Sequence, residues 1–243
     1  MTEPPSAARG RPIGRRIVLG SIGLGALGVL VGSRIQSTTA RWLLPITLRD
    51  PTGLSDLIPA AGRFRIYSVT GSLPRRAADS YRLEVDGLVA RPATLSLADL
   101  RSRLPQTTLR RDFQCVTGWR VESVDWVGVL LRDVLAETGV QPSATHVVFH
   151  SFDGAYTETL SMDQAWRDDV IVAHTLQGDP MSRQHGGPAR LYVAPMYGYK
   201  SLKWLDRIEV VSQLDEHTGY WEQRGFDRDA WVGSSNGGHE EHT

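Results

Sequence analysis

The sequence predicts an α+β protein. Short alternating stretches read as strands, and two serines sit three residues ahead of an acid or amide at the start of short helices. Strands and helices do not alternate strictly, as a doubly wound parallel sheet would require. The 243 residues are 41% hydrophobic and 22% charged, which suits a real core and excludes a disordered tail, a collagen-like rod and a multi-pass membrane protein. One cysteine excludes a disulfide framework, and 27 basic against 27 acidic residues make no general case for nucleic acid.

In chain order, Trp42 to Gly62 is punctuated by prolines and reads as an extended lead-in, 41–62. Tyr81 to Gly87 alternates and then turns, the mark of a strand. Ser96 and Asp99 cap a helix over Leu97 to Leu104, which stops before Pro105. Thr107 to Val116 reads as a strand ending at the cysteine. Leu130, Leu131, Val134 and Leu135 have helical spacing, with Gly139 as the stop. Val147 to Phe149 is a buried strand, and Asp153-Gly154 turns the chain into Tyr156 to Leu160. Ser161 and Gln164 cap a short helix through Trp166. Val170 to Ala173, Arg190 to Val193 and Arg207 to Val211 are further strands. The tail over 233–243 is glycine, serine, histidine and acid, and reads as disordered.

The charge balance hides an asymmetry. Residues 1–40 hold Arg9, Arg11, Arg15, Arg16 and Arg34 against Glu3, a net of +4, leaving −4 on the rest. Arg15-Arg16 lead into an uncharged run, Ile17 to Gly32, that contains Gly20, Gly23, Gly25 and Gly28. This pattern resembles a twin-arginine export signal. The alternative is an amino-terminal membrane anchor over residues 17–32, although the stretch is shorter than the about 20 apolar residues of a spanning helix. No A-x-A signature stands near Ser37 to Ala40, so an uncleaved signal would itself anchor the chain. Twin-arginine export carries folded proteins, commonly those loaded first with a cofactor, and would make this one periplasmic or otherwise extracytoplasmic.

Two features can carry chemistry. Cys115 is a buried small hydrophobe, a nucleophile or a thiolate metal ligand. A nucleophile needs an imidazole, and His146, His150, His174 and His185 are on offer. A metal held by one thiolate needs another molecule to supply the remaining ligands, since no C-x-x-C or H-E-x-x-H is present. The second feature is Pro180 to Leu205, which holds Arg183, His185, Arg190, Lys200 and Lys203 and no acid. Gly186, Gly187 and Gly198 permit close backbone approach, so the stretch suits a phosphate or other polyanion; a solvated basic strand end is the plain alternative. Both lysines of the chain, Lys200 and Lys203, fall here, which suggests a compact point charge.

Four blocks in order carry a resemblance: Phe113-Gln114-Cys115-Val116-Thr117-Gly118-Trp119, Trp126-Val127-Gly128, His185-Gly186-Gly187-Pro188-Ala189-Arg190, and Tyr197 to Trp204. They resemble the sulfite-oxidase-fold molybdopterin oxidoreductases over roughly residues 63–213, most of all the small exported members that include the periplasmic methionine-sulfoxide reductase catalytic subunit. The resemblance implies a fold of mixed sheets and short helices over 63–232, and molybdenum held by Cys115 together with the two sulfurs of a molybdopterin. It implies further cofactor contacts at Tyr67, Ser68 and Val69, at Ser151, at His185 and Arg190, and at Ser201, Leu202 and Lys203. Arg190 is suited to a bidentate phosphate contact. The implied reaction is oxygen-atom transfer on a small sulfite-type or sulfoxide-type substrate, the metal cycling between +6 and +4. A lone cysteine builds no iron–sulfur centre and no haem motif is present, so electrons would pass through an external carrier, a cytochrome or a membrane haem protein. Two departures separate the chain from each subgroup. The reductases carry Asn at the position of His185, and sulfite oxidases follow their cysteine with arginines where this chain has Val116 to Trp119 and then Arg120. Outside the resemblance, the same residues are open to a cofactor-free thiol enzyme or a phosphate-binding module.

Overall fold

The structure, a computed structural model, describes residues 64–215 and 219–233. The chain divides into a unit over Met1–Gly62 and one over Arg63–Thr243, and every described element falls in the second. The expected signal or anchor, the lead-in over 41–62 and residues 234–243 of the tail lie outside the described residues. No helix among the described residues is long and apolar enough to cross a membrane.

Two five-stranded sheets form the body. The first joins β1 (Arg82–Gly87), β2 (Ala93–Ser96), β5 (His146–Ser151), β6 (Thr157–Ser161) and β10 (Leu205–Val211) in the order β2-β1-β10-β5-β6. Its pairings are antiparallel except that β1 lies parallel to β10, with Val85 opposite Ile208. The second sheet runs β3 (Gln106–Gln114), β4 (Arg120–Leu130), β7 (Val170–Leu176), β8 (Asp179–Pro180), and β9 (Arg190–Val193) also pairs with β7. Three short α-helices, α1 (Leu97–Ser102), α2 (Leu131–Thr138) and α3 (Met162–Ala165), and two 3-10 turns, Gly198–Lys200 and Glu222–Arg224, complete the described elements. This is the mixed-sheet α+β architecture that the sequence predicts.

Local chemistry explains the helix ends. In α1 the Ser96 side chain accepts from the Asp99 N–H while the Asp99 carboxylate accepts from the Ser96 N–H. Ser161 and Gln164 do the same for α3. Gly139 ends α2 at φ 73°, where its N–H reaches Leu135 O, a backbone shape that costs a side-chain-bearing residue about 1–2 kcal/mol. Both helices α1 and α3 are shorter than expected, ending at Ser102 and Ala165.

The core forms between the apolar faces. Leu83, Val85, Leu100, Leu131, Val134, Leu135, Val147, Phe149, Val172 and Ile208 are fully buried within it. The long strand β4 holds the second sheet together, pairing with β3 on one side and β7 on the other. Gly128 lets the two backbones meet, since a Cβ there would stand 2.2 Å from Val172 O.

His174 on β7 illustrates a buried polar group that depends on protonation. Gln106 donates its amide N–H groups to Leu100 O and Leu104 O, so its Oε1 accepts, and His174 Nε2, 2.8 Å away, must donate. Thr175 Oγ1 then donates to Nδ1 at 3.0 Å, which fixes a neutral ring. Burial, with the Arg101 charge adding to it, lowers the His174 pKa from 6.5 to about 4. The unfolded chain therefore binds a proton that the folded chain refuses between those values, and stability falls as pH drops through that window. Urea unfolding at pH 7 and pH 4.5 is expected to show a loss from this residue of about 1–2 kcal/mol, allowing for solvent screening. In His174→Gln that share of the pH dependence disappears.

Candidate active site

The β3–β4 hairpin places the cysteine. Strand β3 ends at Gln114, one residue short of Cys115, and the turn closes through Cys115 N–H to Trp119 O at 2.8 Å and Gly118 N–H to Cys115 O at 3.1 Å. Gly118 takes φ 88°, the left-handed shape the turn requires. Cys115 is half-buried, and its Sγ lies 3.2 Å from Thr117 Oγ1. The thiol lines a cavity of about 370 Å³, within the range of small-ligand sites.

Aromatic rings form much of the cavity lining. Phe113 stacks on Trp119 with centroids 5.7 Å apart. Phe64 meets Phe113 at 5.2 Å and His185 at 4.9 Å. Tyr156, Tyr199, Tyr220, Trp221 and Phe226 also line the cavity. Gly198 stands there because a Cβ would sit 2.4 Å from the Phe113 ring.

Cations meet these rings. Arg190, at the start of β9, is buried, and its guanidinium donates to His185 O at 2.8 Å, Ser201 O at 2.5 Å and Leu191 O at 3.2 Å. It lies 5.7 Å from the Phe113 centroid and 5.5 Å from that of Trp126. Burial lowers its pKa to about 10, which leaves it charged at neutral pH. Lys203 donates to Tyr67 O and sits 4.3 Å from the Trp204 ring centroid. Burial, aided by the Arg190 charge, brings the Lys203 pKa down to about 7. The same causes, burial first and then Arg190 and Lys203, take His185 to about 4, so its imidazole is neutral.

The two lysines part company. Lys200, fully buried, reaches Glu158 Oε1 at 2.5 Å and Glu222 Oε1 at 2.7 Å. The acid-free stretch is thus neutralised at this position by acids from elsewhere in the chain, and only Lys203 of the pair lines the cavity. Burial raises the Glu158 pKa well above the usual carboxylate range, with Lys200 opposing and Glu222 adding to the rise. For Glu222 burial works upward too, but the Glu158 hydrogen bond and the Lys200 charge outweigh it and hold the pKa low. The two carboxylates are thus pushed apart, Glu158 toward its protonated form and Glu222 toward its ionised form beside Lys200.

Cys115, Tyr67, Ser68, Val69, His185, Arg190, Ser201 and Lys203 all line the one cavity. Two other candidates do not. Leu202 packs its side chain in the core, and its carbonyl accepts from Leu191 N–H. Ser151, buried at the end of β5, accepts the Asp153 N–H on its Oγ, and it is Asp153 that reaches the cavity. Residue reasoning missed Phe64 and the aromatic segment Tyr220 to Phe226, which have no motif of their own.

Among the described residues no three His, Cys, Asp or Glu side chains gather as a metal site. A metal at Cys115 would need ligands from a bound molecule, as one thiolate alone allows. This fold and this site define a class: the chain belongs to the oxidoreductase molybdopterin binding domain family, which it matches over residues 70–221, and it is a molybdopterin-dependent oxidoreductase. It is 29% identical to the protein-methionine-sulfoxide reductase catalytic subunit MsrP of Ralstonia nicotianae, over 82% of this chain and 69% of that one. It is 30% identical to the sulfite oxidase of Arabidopsis thaliana, over 60% of this chain and 45% of the relative. Among solved structures, the sulfane dehydrogenase SoxCD of Paracoccus pantotrophus aligns with a TM-score of 0.53 and 26% identity, covering 58% of this chain and 40% of that one. The chain thus spans less than half the length of these last two proteins.

The residues fit such a cofactor. Arg190 and Lys203 are basic groups drawn into a cavity where neither has a carboxylate salt bridge, and burial first, then the Arg190 charge, lowers the Lys203 pKa to about 7. A phosphate supplies the counter-charge. Gly186 brings the backbone against Lys203, where a Cβ would stand 2.8 Å from its side chain. It follows that Lys203→Met raises the melting temperature of the cofactor-free chain and lowers pterin retention in the loaded one. Calorimetry and pterin fluorescence check the two halves, and a lower melting temperature in the empty chain would contradict this account.

Proposed function

We propose that the chain is an extracytoplasmic oxygen-atom-transfer enzyme that reduces a neutral sulfoxide-type substrate with electrons from an external carrier. The supporting observation is the set of neutral groups around the thiol: Phe64, Phe113, Trp119 and Val116 beside Cys115, with His185 uncharged. A sulfite ion would call for free guanidinium groups. Arg120, next to the turn, is bound to Glu122 and Arg190 is held by three carbonyls; Arg65 does line the cavity, but as an exposed side chain at its solvent side.

In this reading Cys115 is the protein ligand to molybdenum, and Thr117 Oγ1 steadies its sulfur. Lys203 and the hydroxyl of Ser201, which both line the cavity, receive the phosphate. Arg190 acts through others: it fixes the carbonyls of His185 and Ser201, so the two cofactor-facing loops hold one spacing. Neutral His185 gives the pterin a hydrogen-bonding partner without adding charge. Tyr67, Ser68 and Val69 close the cavity over the cofactor, and Ser151 braces the turn that carries Asp153. The bound group supplies two-electron redox chemistry at an oxygen-accepting metal. The overall balance is one sulfoxide, two electrons and two protons giving one sulfide and one water. The aromatic lining excludes solvent and packs against the carbon flanks of the substrate.

The domain limits follow: an export signal or anchor over 1–40, a lead-in over 41–62 and the enzyme over 63–232. The twin-arginine pair supports export. The match to the MsrP of Ralstonia, over 82% of this chain, supports a sulfoxide-type substrate through the chemistry in that protein's name. The deciding assay compares loaded enzyme on methionine sulfoxide, with reduced benzyl viologen as donor, against sulfite with ferricyanide as acceptor. Faster turnover of the sulfoxide supports the proposal, and faster sulfite oxidation overturns it.

A further inference from the structure

A second hollow, of about 630 Å³, shares a wall with the cavity. The Met181–Pro188 loop gives Gln184 and His185 to the cavity and Met181, Arg183, Gly187 and Pro188 to the hollow. The two sides are tied together, since Trp204 lines the cavity and its Nε1–H donates to Arg183 O at 2.8 Å.

The hollow is lined by Arg75, Arg76, Arg101 and Arg183 and by no acid. These arginines come from three places: the segment before β1, the last turn of α1, and the shared loop. Arg76 is engaged, 3.3 Å from Asp206 and 4.2 Å from the Phe152 centroid. Arg75, Arg101 and Arg183 are exposed, and their guanidinium groups have no ion-pair or hydrogen-bond partner among the described residues. Like charges converging on a concave surface repel one another unless an anion joins them. Among the described residues, other surface arginines do meet carboxylates, as Arg103 with Glu137 and Arg207 with Asp86 show.

We infer that this groove is the docking surface for an electron-carrier protein with an acidic face. This rests on the external carrier of the proposed function and names where it binds. Charge complementarity selects the partner. The leading segment of the same chain is a poor occupant, because residues 1–62 carry seven arginines against Glu3, Asp50 and Asp56. Docking here sets the carrier against the loop whose opposite side holds His185, so one loop separates it from the cofactor cavity.

The test uses full-length loaded enzyme and the acidic haem protein cytochrome b5 as probe, titrated by calorimetry at two salt concentrations. Binding is expected to weaken as salt rises. In Arg75→Glu/Arg101→Glu/Arg183→Glu it is expected to fall at least tenfold, while Arg110→Glu/Arg111→Glu, on exposed positions of β3, leaves it unchanged. The single exposed change Arg101→Gln, which threatens no folding, weakens binding two- to threefold. Equal binding by the groove and β3 variants overturns the inference. So does preference for basic cytochrome c, or tripolyphosphate binding at the groove without cytochrome b5. Molybdenum is measured on the same samples: its absence defeats the proposed function, while the binding data still judge the groove.

Discussion

Cys115→Ser is expected to yield a folded chain that no longer keeps molybdenum. The exchange is nearly isosteric, and the hydrogen bonds that close the turn, Cys115 N–H to Trp119 O and Gly118 N–H to Cys115 O, belong to the backbone. The melting temperature of the cofactor-free chain should therefore move little. A hydroxyl is a hard and weakly acidic donor, whereas the soft thiolate shares charge with a metal that changes oxidation state. Loss of an outer-shell partner alone typically costs about 10- to 100-fold in metal affinity, so loss of the proposed protein ligand should exceed about 100-fold. Metal analysis after dialysis, beside the unaltered chain, gives the answer. Full retention of metal and turnover in Cys115→Ser would remove the cysteine from the site.

The largest stability effect is expected at Lys200. Lys200→Met leaves Glu222 ionised and buried with no counter-charge, a change that typically costs about 3–5 kcal/mol. The double variant Lys200→Met/Glu222→Gln should regain much of that loss, because it removes the stranded charge as well. Non-additivity of the two changes in urea unfolding is the measurement, and simple addition would show that the three groups do not act together. The pH dependence has a definite sign. The Glu158 pKa is raised in the folded chain, so its contribution is complete below the ordinary carboxylate range and declines as pH climbs toward the raised value. Glu222 lies in the segment whose Tyr220, Trp221 and Phe226 line the cavity, so weakening this cluster should also loosen the aromatic side of the site.

What the sequence disclosed was local or contiguous. The capping pairs Ser96/Asp99 and Ser161/Gln164 act across three residues, and Gly139 ends its helix through its own backbone shape. Cys115 and the His185 to Arg190 block were legible for the same reason. Strand β4 was not, although it is the longest. Ser123 takes φ 54° and the register shifts between Arg111 and Phe113, so the alternation that announces a strand is broken. The meaning of Lys200 was hidden as well. Its acids lie 42 and 22 residues away along the chain, while its nearest neighbours suggested an anion site. Arg190, expected to contact a phosphate, does line the cavity, but the three backbone carbonyls that hold its guanidinium are advertised by no motif. Leu202 was marked by its neighbours Ser201 and Lys203, and its side chain turns the other way.

The parallel pairing of β1 with β10 bears on the order in which the protein can be finished. Glu84 to Gly87 wait for Arg207 to Val210, so the earliest strand of the domain stays open-edged until translation has passed its final one. Contacts this distant are slow to form and leave incomplete chains prone to aggregation. A chain halted before Leu205 leaves that edge of β1 unpaired, and the first sheet closes only once β10 has been made.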